Sequence, residues 1–143
     1  MNFATNLSLH TQRRVCNIYT CNMEKFIVSS HIAGYHAYKA VWIPVIGEEL
    51  VCEMEPLNPE DAYAVSVKRD GSIVGHLEKG ISERFSQIIF FFLRADRSAS
   101  CRAIIMGHPV NLGDEKGQKV PCRLILAGRS RFIAILQEQL NSL

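Results

Sequence analysis

Alternation of apolar and polar residues predicts short β-strands along most of the chain. In segment 49–55 the apolar residues Leu50, Cys52 and Met54 recur at every second position, so one face of this strand is apolar. Segment 26–32 alternates more loosely, and 38–43 is rich in aromatic and β-branched residues. Segments 98–106 and 120–127 return to a strand-like composition after the middle of the chain.

A β-hairpin is predicted between residues 64 and 76. Segments 64–68 and 72–76 both favour strands, and they flank Arg69, Asp70 and Gly71. An Asp-Gly pair readily supplies the positive φ angles that a tight hairpin turn requires. The two segments are therefore predicted to pair as antiparallel neighbours.

Two helices are predicted from apolar residues at helical spacing. Ser82 is the expected N-cap of the first and Ser130, after Gly128, that of the second, whereas the Gly- and Pro-rich segment 107–119 is predicted to be a loop. The residues expected to face inward are Phe85, Ile88, Ile89 and Phe92 in the first helix, and Phe132, Ile135, Leu136 and Leu140 in the second. Short strands with two helices and no βαβ alternation predict a mainly β, α+β fold built on a small barrel.

The chain length of 143 residues and the 48% hydrophobic content predict a single folded domain. Residues 1–23 contain no acidic residue and show no sustained periodicity, so they are predicted to be a disordered extension, with the domain spanning 24–143. No apolar run approaches the roughly 20 residues that cross a bilayer, so a soluble protein without a membrane partner is expected.

The five cysteines suggest neither a disulfide framework nor a zinc site, since their number is odd and no Cys-x-x-Cys spacing occurs. Buried thiols in a reducing compartment, the nucleus or the cytoplasm, are expected instead. The net charge of +2 is uneven, with two basic against seven acidic residues in 24–61 and twelve against seven in 62–143. The second part forms either a modest basic face or a scatter of solvated charges.

A rigid polar loop precedes the predicted hairpin. Pro56 and Pro59 restrict the backbone around Asn58, so its amide and the Asp61 carboxylate are held at set positions. Such a loop is typical of recognition, because little conformational freedom is lost on binding. Asn58 and Asp61 could equally cap the loop's own backbone, as such residues often do.

The pattern Pro-x-Asn-Pro-x-Asp-x-x-Ala-Val-x-Val, followed by Val-Gly-His-Leu-x-Lys, resembles the HIRAN domain, a module of helicase-like proteins in DNA-damage tolerance. The resemblance spans residues 26–140. It implies a modified OB-like barrel with helices against it. It also implies that Asn58 and Asp61 contact the terminal nucleotide of single-stranded DNA, with Asp61 accepting a hydrogen bond from a sugar hydroxyl. Such a contact would favour a free 3′ end.

The resemblance also implies that His76 and Lys79 donate to phosphate oxygens, although a lone His is commonly a structural residue. Glu78 stands where the HIRAN domain that this chain resembles has a basic residue, which should weaken phosphate affinity. In the HIRAN domain a segment near the first strands forms the other half of the DNA-binding pocket. The resemblance implies Arg-Tyr-Tyr in that segment, where this chain has His36, Ala37 and Tyr38. Tyr38 is expected either to stack on a base or to line the barrel core.

Catalytic sequence motifs are absent: the chain has no Walker loop, no Gly-x-Ser-x-Gly and no His-Glu-x-x-His. Together with this absence, the resemblance implies a non-catalytic module without a cofactor that binds single-stranded or frayed DNA ends. The alternative is a protein-interaction module whose altered pocket no longer grips DNA. A metal-dependent nuclease built on Glu60, Asp61 and a lysine is a third, weaker interpretation.

Overall fold

The computed structural model describes residues 12–14, 22–80, 83–112 and 117–143, with the side chains of 12–14 and of His36 left out. Its regular elements comprise eight strands, two α-helices and one short 3-10 helix within these ranges. In chain order they are β1 (Gln12–Arg14), β2 (Met23–Ala33), the 3-10 helix (Tyr35–Tyr38), β3 (Glu49–Met54), β4 (Val65–Arg69), β5 (Ser72–Leu77), α1 (Arg84–Ala95), β6 (Ser100–Ile105), β7 (Val110–Asn111), β8 (Gln118–Arg129) and α2 (Ser130–Asn141).

Six of the strands close into an antiparallel barrel in the order β2-β5-β4-β3-β6-β8, and β2 also pairs with β8. The β2–β8 ladder runs from the Met23 and Arg129 pair to the Ile32 and Val120 pair, which makes it the longest seam of the barrel. β1 pairs with the outer part of β2, and β7 pairs with the start of β8. The prediction of a small β-barrel with two helices is confirmed.

The predicted hairpin is present as β4 and β5, joined by Asp70 (φ 49°) and Gly71 (φ 83°). Positive φ at both central residues is what the Asp-Gly pair was expected to supply. Gly75 of β5 lies against β2, and a Cβ atom there would be 2.5 Å from Ile32 Cγ2 and 2.9 Å from the Ala33 carbonyl oxygen. Only a residue without a side chain allows the two strands to approach this closely.

The hydrophobic core lies between the barrel strands and the helices. Inward-facing residues such as Leu124 and Leu126 alternate with outward-facing ones along β8. Burial of each large side chain contributes about 1.5–3 kcal/mol. In α1 all four predicted inward residues are buried: Phe85, Ile88, Ile89 and Phe92.

Helix α2 corrects one prediction. Its buried stripe is Ile133, Leu136 and Leu140, whereas Ile135 is 50% exposed. The buried residues are spaced by three and then four positions. Residue 135 directly precedes Leu136 and therefore projects about 100° away from the buried face. The Ser130 hydroxyl donates to the Asn22 carbonyl oxygen at 3.0 Å rather than capping the helix, so it ties α2 to the start of β2.

One strand prediction and one loop prediction are also corrected. Residues 38–43 do not form a strand, because the chain turns through the 3-10 helix after Gly34 (φ 77°) and its amides bond locally, Trp42 N to Tyr38 O at 3.0 Å. The aromatic Trp42 is buried in the core although this segment pairs with no strand in the described part of the chain. Segment 107–119 contains β7, which pairs with Gln118 and Lys119. The predicted cap Ser82 lies outside the described residues.

Asp96, at the end of α1, links the helix to β8. Its carboxylate is 1% exposed and accepts hydrogen bonds from the Arg129 amide (3.1 Å) and from the Ser98 amide (3.0 Å) and hydroxyl (2.7 Å). Burial raises the pKa of Asp96, but these hydrogen bonds together outweigh it and hold the pKa below its ordinary value. The ionised carboxylate therefore stabilises the junction of α1, β8 and α2.

Three predicted buried thiols are confirmed: Cys52, Cys101 and Cys122 are buried and free. A hydrogen bond with Cys52, together with burial, raises the pKa of Cys101. Within the predicted N-terminal extension, Gln12–Arg14 pair with β2, and the domain boundary at residue 24 stays a prediction. No helix in the described part of the chain is long and apolar enough to cross a membrane.

Candidate nucleic-acid interface

A groove of about 830 Å³ opens at the end of the barrel where β2 ends and β8 begins. Its walls come from the ends of β2, β5 and β8, from the loop between β3 and β4, and from the segment that leads into α1. Four of the six residues predicted for the site line it: Asn58, Asp61, His76 and Lys79. The barrel therefore brings together residues that belong to separate parts of the sequence.

The loop between β3 and β4 is braced by its own polar groups. Asn58 Oδ1 accepts hydrogen bonds from the amides of Glu60 (2.8 Å) and Asp61 (3.2 Å). The Glu55 amide donates to the Ala64 carbonyl oxygen at 2.9 Å and closes the loop at its base. The capping interpretation thus holds for the side-chain oxygen Oδ1 of Asn58. The side-chain nitrogen Nδ2 of the same residue is a donor beside the groove.

Asp61 is half-buried at the groove wall, and one of its carboxylate oxygens is engaged. Oδ1 accepts a hydrogen bond from the Tyr63 amide at 2.9 Å, which fixes the carboxylate. Within the described ranges Oδ2 has no hydrogen-bond partner, so it remains an acceptor for a ligand. A fixed carboxylate with one open oxygen suits a hydroxyl or amino donor.

His76 is held by a carboxylate. Its Nε2 lies 2.6 Å from Glu55 Oε2, and both side chains are largely buried. This contact orients the imidazole, because a ring with one nitrogen paired has a defined rotation. A phosphate could use Nε2 only in competition with Glu55.

The backbone of Lys79 supports helix α1, and its side chain faces solvent. Its carbonyl oxygen accepts hydrogen bonds from the Phe85 amide (2.8 Å) and the Ser86 amide (3.4 Å), which satisfies donors at the start of α1. Its side chain is exposed, and no carboxylate of the described residues forms a salt bridge with it. It is the groove's accessible cation.

Glu78 binds the second lysine of the groove, Lys119. Glu78 Oε2 lies 3.3 Å from Lys119 Nζ, and Glu78 Oε1 lies 3.2 Å from His31 Nδ1. All three side chains are at most 31% exposed. Lys119 was not predicted from the sequence, because it is 41 residues from Glu78 and comes beside the groove where the ladder between β2 and β8 ends at Val120.

The remaining two predicted site residues lie in the 3-10 helix that follows β2. The helix begins directly after Gly34, which lines the groove. Tyr38, at its other end, is half-buried and is not among the described residues that line the groove. The side chain of His36 lies outside the described residues.

Among the described residues, the groove is lined by more negative than positive groups. Of the two alternatives for the second part of the chain, a modest basic face is therefore not found at the described groove residues, where the ammonium groups of Lys79 and Lys119 oppose the local repulsion of phosphates. In the described part of the chain, no three His, Cys, Asp or Glu side chains are grouped so as to hold a metal ion. The charged lining residues are Glu60, Asp61, Glu78 and Glu83 on the negative side, and Lys79 and Lys119 on the positive side.

The fold matches solved HIRAN structures. A crystal structure of the HIRAN domain of human HLTF gives a TM-score of 0.62 at 19% identity, over 81% of this chain and 87% of that one. An NMR structure of the HLTF HIRAN domain gives 0.59 at 16% identity, over 96% and 95%. The NMR structure of that domain in its DNA-bound conformation gives 0.57 at 19% identity, over 81% and 86%. The sequence matches no family model and no curated protein. The chain thus has the HIRAN fold.

Proposed function

We propose that this protein is a non-catalytic module that binds single-stranded or frayed DNA ends and recognises a free 3′-hydroxyl in the groove. The observation that carries the proposal is the fixed Asp61 carboxylate, with one open oxygen, in a groove shared with Asn58, His76 and Lys79. The likeness to a HIRAN domain solved in a DNA-bound conformation supports the same assignment.

The chemistry of the groove favours a strand end over a strand interior. A terminal hydroxyl donates a hydrogen bond to the Asp61 carboxylate, whereas an internal or terminal phosphate at that place brings a second negative charge. The neighbouring amide of Asn58 can donate to the base or the sugar, and Lys79 can pair with the preceding phosphate. A hydrogen bond to a charged group contributes about 1.5–3 kcal/mol.

The test is fluorescence anisotropy with three versions of one labelled oligonucleotide: a 3′-hydroxyl end, a 3′-phosphate end, and a circle without an end. We expect the hydroxyl strand to bind best. Asp61→Asn should remove most of that preference, because the amide keeps an oxygen for the Tyr63 amide but loses the charge. Asp70→Asn, in the β4–β5 turn, is the matched control and should bind like the wild type.

Equal affinity of the wild type for all three strands would contradict end recognition. The same strands incubated with Mg²⁺ should remain intact, and cleavage that disappears in Asp61→Asn would support a nuclease instead.

One observation favours a second candidate, a protein-interaction module. Among the described lining residues, four carboxylates against two lysines suit a cationic ligand such as a Lys- or Arg-containing peptide better than a polyanion. Binding of a basic peptide that DNA ends do not displace, with no DNA binding at low salt, would favour this alternative.

A further inference from the structure

A second, smaller recess adjoins the groove. It has a volume of about 150 Å³, and it shares three lining residues with the groove: Asp61, Lys79 and Glu83. The remaining lining comes from the loop after Asp61 and from the first turn of α1, namely Tyr63, Ser86 and Gln87. A ligand that extends out of the groove past Lys79 therefore enters this recess.

The Tyr63 ring lines the recess, and the Phe91 ring lies beside Tyr63 without being among the described residues that line the recess. Tyr63 is 39% exposed and Phe91 is 41% exposed, and their ring centroids are 5.2 Å apart at an interplanar angle of 44°. Tyr63 also packs edge to face on the buried Phe90, with centroids 5.6 Å apart at 82°. Phe90 thus supports the Tyr63 ring from the core, while a large part of the ring stays open to solvent.

We propose that Tyr63 and Phe91 form a stacking surface for the second base from the 3′ end, with Lys79 contacting the phosphate between the last two nucleotides. This inference rests on the proposed function. Single-strand binding proteins combine a cation that follows the backbone with exposed aromatic rings on which bases stack. Lys79 lies on the rim shared by both cavities, so one cation serves both nucleotides.

An aromatic pair of this kind also explains how a groove with excess carboxylates can hold a strand. Stacking does not depend on charge, and every base offers a π face. Affinity lost to repulsion between phosphates and carboxylates is offset by contact with the two rings. The surface should accordingly show little preference among sequences.

The test uses 3′-hydroxyl oligonucleotides that carry 2-aminopurine, whose fluorescence is quenched on stacking. The probe is placed at the second position from the end or far inside the strand. We expect wild-type protein to change the fluorescence at the second position only. Tyr63→Leu and Phe91→Leu, which keep an apolar side chain but remove the ring, should weaken binding about 5- to 10-fold. Tyr63→Phe keeps the ring and should bind like the wild type.

Each outcome separates this inference from the proposed function. Wild-type binding that prefers a 3′-hydroxyl but leaves the second base unchanged overturns the stacking surface alone. Folded Tyr63→Leu and Phe91→Leu proteins with wild-type affinity overturn it as well. If the wild type binds no 3′-hydroxyl strand at low salt, the proposed function and the stacking surface fail together. The wild-type fluorescence measurement decides the matter even where a variant does not fold.

Discussion

Replacement of Glu78 by Gln should strengthen DNA binding. The carboxylate lies in the groove and binds Lys119 Nζ at 3.3 Å, so it both repels phosphate and occupies a cation. A phosphate about 8 Å from the carboxylate is repelled by about 1 kcal/mol at an effective dielectric constant of about 40. Salt screening reduces this to about 0.5 kcal/mol, which predicts a gain in affinity of about 2-fold.

The substitution should cost a little stability. Gln keeps the size of Glu78 and one hydrogen-bond acceptor, but its contacts with Lys119 and His31 lose their charge. A loss of about 1 kcal/mol would lower the melting temperature by about 2–4 °C. The domain should therefore remain folded at 25 °C, where binding is measured by anisotropy with a 3′-hydroxyl strand.

Glu53→Gln is the matched control. Glu53 pairs with Lys68 at 2.8 Å and does not line the groove, so its neutralisation changes the net charge equally without altering the site. Affinity should rise in Glu78→Gln and stay near the wild-type value in Glu53→Gln. Equal gains in both variants would show that only the overall charge matters. A folded Glu78→Gln protein that binds no more tightly than the wild type would refute the reasoning.

Three further predictions concern salt, packing and pH. Wild-type log affinity should fall with log salt with a slope of about −1 to −2, and Lys79→Ala should make it shallower by about 1 with little effect on thermal stability; a steep slope retained in the variant would contradict this. Gly75→Ala should lower the free energy of unfolding by about 1–3 kcal/mol in urea titrations, because its Cβ would meet Ile32 and the Ala33 carbonyl oxygen; unchanged stability would argue against that close contact. Since the folded-state pKa of Asp96 is lowered, its stabilisation is present above its ordinary value and disappears as the pH falls through the folded-state pKa. Asp96→Asn should thus be less stable than the wild type at pH 7, with a difference that shrinks in acid; a constant difference would assign the effect to lost packing.

Local chemistry made much of the fold predictable. The β4–β5 turn depends on Asp70 and Gly71 alone, and the buried stripe of α1 follows from helical spacing. Segment 38–43 misled the prediction because its aromatic and β-branched composition is typical of a strand, although in the described part of the chain the segment pairs with no strand. Composition indicates which side chains suit a half-buried surface, and it does not indicate whether the backbone has a neighbour to pair with.

The candidate site was predictable only where its residues share a local motif. Asn58 and Asp61 lie in one loop, and His76 and Lys79 lie at the end of one hairpin strand and just after it. The sequence motif therefore included the four predicted residues that line the groove. Lys119 joins them through the long-range ladder between β2 and β8, for which no local signal exists. The contacts of the groove side chains, such as Glu55 with His76, are likewise set by the closure of the barrel.

The carboxylates of the groove have a further consequence for discrimination between strand ends and interiors. A bound interior adds at least one phosphate near Asp61 and Glu78, whereas an end presents a hydroxyl there, so each carboxylate penalises the interior more than the end. Glu78→Gln should therefore gain more affinity for a circular strand than for a 3′-hydroxyl strand. The ratio of the two affinities, measured by anisotropy at one salt concentration, should fall by about 2-fold, which corresponds to about 0.5 kcal/mol. An unchanged or larger ratio in Glu78→Gln would mean that Glu78 lowers affinity without contributing to end recognition.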